Sequence, residues 1–300
     1  MTLTIEHPSQ EVLFDEDLKL IYYIRNFLAF GMDLPVDLLS INGQIEQEKF
    51  VSDKFNSPFY NDINIYTHSM RLEVKEEESI AQEKMLFSLS DVYDKIEDII
   101  GKWFNIMKTS LKAVCNLYLG TLYNPSPYIR HNFLNLVQAF ESFCNKNYPQ
   151  EELQILSNYV YNKEIYKKVM DTIEDILGKL DQSYINPKQI KYIKERFNEV
   201  LPHVNEYPLN KKIKKVTNDS RYKILSTVFI GNGKNQKDFA HKVAKFRNDL
   251  SHGEKVVDED FNELVITKDK LEILMKLVLL KELGLEEGKI IAFLKRQRKY

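Results

Sequence analysis

From about Ser90 to the end of the chain, apolar residues recur every three to four positions, the spacing that gives a helix one buried face. The pattern predicts helices over 91–109, 110–121, 128–147, 162–180, 187–200, 219–230, 234–252, 267–283 and 286–297, separated by Pro, Gly or Asn. Upstream the period is mixed. Thr2-Leu3-Thr4-Ile5 reads as β, residues 15–30 as a helix, and Ile63, Ile65 and Tyr66 alternate before Arg71-Leu72-Glu73-Val74. A charged break, Lys75-Glu76-Glu77-Glu78, precedes the change of period. The expected organisation is a small α+β region over 1–85 followed by a helical domain over 86–300, a mainly α fold without tandem repeats.

Composition narrows the function classes. With 43% hydrophobic content, 300 residues can bury a sizeable core. The formal net charge is only -2, from 42 basic and 44 acidic side chains, so any contact with nucleic acid must be local. Cys115 and Cys144 lie in apolar helical patterns without metal-ligand spacing, and the N-terminus lacks a basic segment followed by an apolar core, which predicts a cytoplasmic chain with reduced thiols. Apolar runs such as 277–280, between Lys276 and Lys281, fall far short of the ~20 residues a bilayer requires, so no membrane span is expected. No glycine-rich phosphate loop, nucleophile elbow, paired-cysteine motif or HExxH pattern occurs, and Gly231-Asn232-Gly233 reads as a turn. Neither a metal nor a cofactor is expected.

The segment Arg247-Asn248-Asp249-Leu250-Ser251-His252-Gly253 concentrates the candidate chemistry near the end of the 234–252 helix. At about 100° per residue, Phe239, Val243, Phe246 and Leu250 make one core-facing stripe. Ala240, Ala244, position 247 and Ser251 make a second seam, where small residues let another helix or a second subunit approach. Arg247, Asn248 and His252 then border one groove. RNA carries its own nucleophile, the 2′-hydroxyl, so cleaving it requires proton transfer and stabilisation of a highly charged phosphorane-like transition state, with no metal needed. His252, with a reference pKa of about 6.5, can exchange the proton. Arg247 can grip two phosphate oxygens through its planar fork. Asn248 would orient the phosphate or the histidine. Asp249 would hold the imidazole or serve an ordinary surface role. One histidine cannot readily be both base and acid in a concerted step, and a two-fold dimer through the alanine seam would supply the second.

Other residues fall into place around this segment. Glu141 interrupts the apolar stripe of the 128–147 helix and needs a partner, either positioning Arg247 or His252 or bridging elsewhere in the bundle. Lys237, His241, Lys242 and Lys245 on the motif helix, with His131 on the 128–147 helix, are candidate RNA contacts. The basic runs Lys211-Lys212-Ile213-Lys214-Lys215 and Lys295-Arg296-Gln297-Arg298-Lys299, with Arg221, Lys223 and Lys234, read as solvated faces or as phosphate contacts. Tyr207 and Tyr222 would either pack or stack on unpaired bases.

The stretch Lys245 to Gly253 resembles the Arg-polar-xxx-His motif of HEPN domains, the helical bundles of many prokaryotic toxin, immunity and RNA-processing ribonucleases. Trp103-Phe104, Leu117-Tyr118-Leu119-Gly120-Thr121-Leu122-Tyr123 and the stretch from Phe133 to Phe143 resemble the ApeA-like branch, in which a β-rich sensing domain precedes the HEPN domain. The resemblance covers roughly residues 85 to 300, more weakly the first 85, and implies a HEPN-like bundle behind a shortened sensing region. It further implies RNA cleavage to a 2′,3′-cyclic phosphate and a 5′-hydroxyl by a homodimer. The biological setting would be anti-phage defence, in which a phage-derived trigger acts through the N-terminal region and RNA cleavage halts growth of the infected cell. The alternative from a different class is a non-catalytic HEPN module that dimerises and binds RNA or protein.

Overall fold

The computed structural model describes residues 14–46, 60–65, 81–124, 128–180, 185–251 and 258–297. In chain order the elements are α1 (Phe14–Met32), β1 (Ile41–Glu46), β2 (Tyr60–Ile65), α2 (Leu89–Val92), α3 (Ile96–Lys108), α4 (Lys112–Tyr123) and α5 (Ile129–Asn147). There follow α6 (Asn158–Val160), α7 (Lys167–Gly178), α8 (Pro187–Val204), α9 (Leu209–Asn218), α10 (Lys223–Phe229), α11 (Gly233–Ser251), α12 (Asp258–Glu282) and α13 (Glu287–Gln297). The protein is mainly α, as the hydrophobic period predicts. β1 and β2 form an antiparallel pair with Ile41 opposite Ile65. The strand-like segments 2–5 and 71–74, Tyr66 and the charged break at 75–78 lie outside the described residues.

The chain divides into two compact units, the first comprising Met1–Met107, Leu122–Pro125 and Ala292–Tyr300, the second Lys108–Thr121 and Ser126–Ile291. The first unit is organised around aromatic packing. Tyr23, Phe27 and Phe30 recur on one face of α1, and Phe30 stacks on Trp103 of α3 at 5.8 Å and 14°. Trp103 is fully buried, so its indole N–H needs a partner, and it donates to the Tyr23 carbonyl at 2.7 Å. Phe87 packs against Phe27, Phe30 and Phe293. Beside it, Ser88 and Asp91 form a capping box at the start of α2, and Arg296 reaches Asp91 at 2.8 Å. Burial would raise the Asp91 carboxyl, but the bonds from Arg296 and from the Ser88 backbone and hydroxyl outweigh it and hold the group at about 2.

The second unit is a bundle in which α12 packs against α5, α10 and α11, while α11 also packs against α9 and α5. From Leu274 to Leu280 every residue of α12 is buried, so this helix has no solvent face there. Lys276 falls within that stretch. Its ammonium and that of Lys268 share Glu272, at 2.9 Å and 2.8 Å.

The basic run Lys211-Lys212-Ile213-Lys214-Lys215 is only in part the solvated face expected of it. Together with Leu209 and Val216 it forms α9, whose Leu209, Ile213 and Val216 are buried at the helical spacing of four and three. Lys212 is buried and donates to Asn145 Oδ1 at 3.0 Å, Lys215 pairs with Glu152 at 2.8 Å, and Arg221 pairs with Asp219 at 2.8 Å. Tyr222 packs in the core, donating to Glu282 Oε1 at 2.7 Å and accepting from Asn147 at 3.2 Å, so its ring is closed to a nucleic acid base.

Candidate functional site

The motif helix α11 follows the turn predicted at Gly231-Asn232-Gly233, where Gly231 takes a φ of 105° and a Cβ would lie 2.7 Å from Asn235 Nδ2. Its buried face is Phe239, Ala240, Val243 and Phe246, and Leu250 at the last turn is half-buried. Phe246 meets Phe133 of α5 edge-on at 6.3 Å. One position further, Arg247 stands at the rim of this face, half-buried. Its Nη1 donates to Asn248 Oδ1 at 3.2 Å, so two of the three motif side chains are in contact. Among the described residues Arg247 has no other hydrogen-bond partner. Ser251, the last described residue of the helix, is exposed; His252 and Gly253 lie outside the described residues. In the seam of small residues, Ala240 is buried and Ala244 half-buried.

The candidate RNA-contacting residues of α11 form one arc, with Lys237 and His241 nearer Arg247 and Lys245 and Lys242 further round, and the latter two are bonded by carboxylates. Lys242 and Lys245 project about 140–160° around the helix from Arg247. There they meet α12: Lys242 pairs with Glu263 at 2.7 Å and with Asp238 of its own helix at 2.6 Å, and Lys245 pairs with Asp260 at 3.1 Å. These bonds raise both lysines above their ordinary range, Lys242 through Asp238 and Glu263, Lys245 through Asp260. A cleft of about 280 Å³ lies on this flank, lined by Asp238, Phe239, Lys242, Glu263 and Thr267, on the far side of α11 from Arg247. Lys237, His241 and Asn248 project only about 80–120° from Arg247 and are exposed. Asp249 is half-buried and close enough to Lys245 to help hold its charge.

The two candidates on α5 stand apart from Arg247. His131 is exposed, its ring 6.0 Å from that of Tyr128, and projects about 160° around α5 from Phe133, the residue that contacts α11. Glu141 lies eight residues, about 12 Å, along the helix from Phe133. It is half-buried, and its nearest charge effect is on Cys144, whose thiol is pushed up to about 12 mainly by burial. Cys115 is likewise buried and raised to about 12, so neither thiol is a ready nucleophile.

Asp260 and Glu263 were not legible as partners of the motif helix, because they lie 15 and 21 residues from Lys245 and Lys242 and the hydrophobic period placed the next helix start at 267. Among the described residues there is no group of His, Cys, Asp or Glu arranged to hold a metal ion, and no helix long and apolar enough to cross a membrane.

Comparison with known families adds the evolutionary frame. The family model described as Apea-like HEPN matches residues 134–289, more than half of the chain and including most of α5 and all of α11 and α12, and the model described as ApeA N-terminal domain 1 matches residues 1–103. No curated protein and no solved structure matches. By this match and by the bundle that carries its Arg-Asn-xxx-His motif, the chain belongs to the Apea-like HEPN family.

Proposed function

We propose that this protein is a metal-independent endoribonuclease acting in anti-phage defence, with Arg247, Asn248 and His252 as its reacting set. The observation that carries the reading is the Arg247 fork, which stands one position past the buried Phe246, donates to Asn248 and has no other hydrogen-bond partner among the described residues. In the proposed reaction His252 removes the proton of a ribose 2′-hydroxyl, and that oxygen attacks the adjacent phosphorus. Arg247 neutralises the charge that grows on the non-bridging oxygens. The bond from phosphorus to the 5′ oxygen breaks, and a proton from the second copy's histidine completes the 5′-hydroxyl, leaving a 2′,3′-cyclic phosphate. Asn248 keeps the guanidinium aimed. The matched N-terminal region would receive the phage-derived trigger.

One observation favours a second reading, a HEPN module that binds without cutting. Lys242 and Lys245, two of the cations expected to meet RNA, are already held by carboxylates of α11 and α12. Purified protein incubated with total RNA and EDTA separates the two readings. Cleavage that yields cyclic-phosphate ends and disappears in both Arg247→Ala and His252→Ala supports the nuclease; equal background in all three proteins assigns the chain to the module.

A further inference from the structure

The first turn of α5 carries a cation that neither the bundle nor the motif uses. Arg130 is exposed, and among the described residues it makes no hydrogen bond, ion pair or ring contact. Helical geometry fixes its direction. Phe133 is buried and meets Phe246 of α11, and at about 100° per residue Arg130 projects only about 60° from it. His131, the contact expected from the sequence, projects about 160° from Phe133 and faces another side.

The packing of the bundle shows which side Arg130 takes. Lys242 meets Glu263 and Lys245 meets Asp260, so α11 and α12 run antiparallel. The ends of α5 and α12 converge on Tyr222, which accepts from Asn147 and donates to Glu282. At the opposite end Phe246, next to Lys245, reaches the start of α5 through Phe133. α5 therefore runs with α12 and against α11. In an antiparallel pair, rotations of the same sense about the two axes lead to one side, and Arg247 lies about 100° from Phe246 in the sense in which Arg130 lies about 60° from Phe133. Both arginines face one groove. α9 lies on that side further along: it packs against both helices, and its Lys212 donates to Asn145, about 120° from Phe133 in the same sense.

The two arginines also stand toward one end. Arg130 lies about 4.5 Å before Phe133 along α5 and Arg247 about 1.5 Å beyond Phe246 along α11, the same direction in an antiparallel pair. Packed helices have axes about 8–10 Å apart, so both side chains rise beside a common mouth of the groove. Neither has an ion pair among the described residues. Two like charges gathered without a carboxylate gain nothing for the fold and gain from a polyanion. We propose that Arg130 is a second phosphate-binding residue of the RNA site, holding a phosphate next to the one gripped by Arg247. The strand then crosses from α11 to the start of α5, an assignment that rests on the nuclease reading for its ligand. A contact to phosphate alone adds affinity without sequence preference, and made equally in the ground and transition states it changes KM and not kcat.

Fluorescence anisotropy with a 2′-O-methyl oligoribonucleotide, which lacks the nucleophile, reads the contact without cleavage. Arg130→Gln should weaken binding about tenfold and lower the slope of log affinity against log salt by about one, and Arg130→Lys, which keeps the charge, should restore most of both. Lys146→Gln removes the same charge at the exposed far end of α5, about 220° around from Phe133, and should change binding less than about twofold. Arg130 is exposed, so the thermal melts of all these proteins should coincide with that of wild type. On cleavable RNA, Arg130→Gln should raise KM about tenfold and leave kcat within about twofold. Wild-type affinity and salt slope in Arg130→Gln, beside a loss in Arg247→Gln, overturns the proposal and leaves the RNA reading standing; an equal loss in Lys146→Gln also overturns it, as an effect of net charge. A wild type that binds the oligonucleotide and never cuts ends the nuclease reading, while loss of affinity and slope in Arg130→Gln still supports the contact. No binding by wild type overturns both.

Discussion

Replacing Glu272 with Gln keeps the shape of the side chain but removes the one carboxylate shared by the Lys268 and Lys276 ammoniums of α12. Both contacts are direct, at 2.8 Å and 2.9 Å, and Lys276 is almost fully enclosed. Burial would raise the Glu272 carboxyl, yet the two lysines overcome it and lower the group from 4.5 to about 2. A shift of this size corresponds to about 3 kcal/mol of stability at neutral pH, and the loss falls mainly on Lys276, because Lys268 keeps Asp269 at 2.9 Å. For a unit of this size the melting temperature should fall by about 6–12 °C. The sign with pH follows from a depressed folded-state value. The contribution is complete above pH 4.5 and is lost as pH falls toward 2, because the unfolded chain takes up the proton first. Urea unfolding of wild type and Glu272→Gln at pH 7 and pH 3.5 measures the gap directly, which should narrow by about 1.4 kcal/mol at the lower pH. A gap below 1 kcal/mol at pH 7, or one unchanged at pH 3.5, would refute the claim that the shared carboxylate offsets the charges of the buried Lys276 and the half-buried Lys268.

The other predictions concern the first unit, the turn before α11 and the cations of that helix. Asp91→Asn weakens both the capping box and the Arg296 pair, and should cost about 1–3 kcal/mol at pH 7 in chemical denaturation. Gly231→Ala should destabilise by about 1–2 kcal/mol, since its positive φ and the 2.7 Å approach of Asn235 both oppose a side chain. If RNA follows the part of α11 nearer Arg247, Lys237→Gln with His241→Gln should weaken binding of a 2′-O-methyl oligoribonucleotide by about tenfold in fluorescence anisotropy, and Lys242→Gln with Lys245→Gln by less than about twofold. Arg247→Lys keeps the charge but loses the planar fork, so cleavage should still fall by at least about tenfold.

Most of the architecture was legible where one period persisted for three or more turns. The helices expected over 128–147, 187–200 and 234–252 appear as α5, α8 and α11 with ends moved by a few residues at most. α9 was hidden because four lysines in five positions resemble a solvated run; only by extending the reading to Leu209 and Val216 does the apolar spacing emerge. The start of α12 was hidden for another reason. Its first two turns contain Asp260 and Glu263, which are fixed by Lys245 and Lys242 and not by an apolar face, and a pairing across 15 or 21 residues leaves no local period. At the candidate site, the stripe of Phe239, Val243 and Phe246 is buried as its spacing implies, and Arg247 is half-buried beside it. The sequence offered no means of telling which lysines the neighbouring helix would claim.

Carboxylates bonded to some cations of a helix and not to others bias the path that a phosphate backbone takes along it. A lysine already bonded to a carboxylate must lose that bond before it can gain a phosphate, and the exchange of one anion for another returns little net energy in water. An exposed lysine or histidine has only its hydration to give up. Lys237 and His241 meet that condition on the side of Arg247 and Asn248, whereas Lys242 and Lys245 do not. Asp260 and Glu263 therefore act, under the nuclease reading, less as stability elements than as a screen over one flank of α11. Exposed ion pairs of this kind contribute about 0–1 kcal/mol to folding, too little by themselves to account for three carboxylates gathered on two lysines. By pairing Lys242 and Lys245 they leave Lys237 and His241, which carry no ion pair among the described residues, as the candidate cations of the helix nearest Arg247.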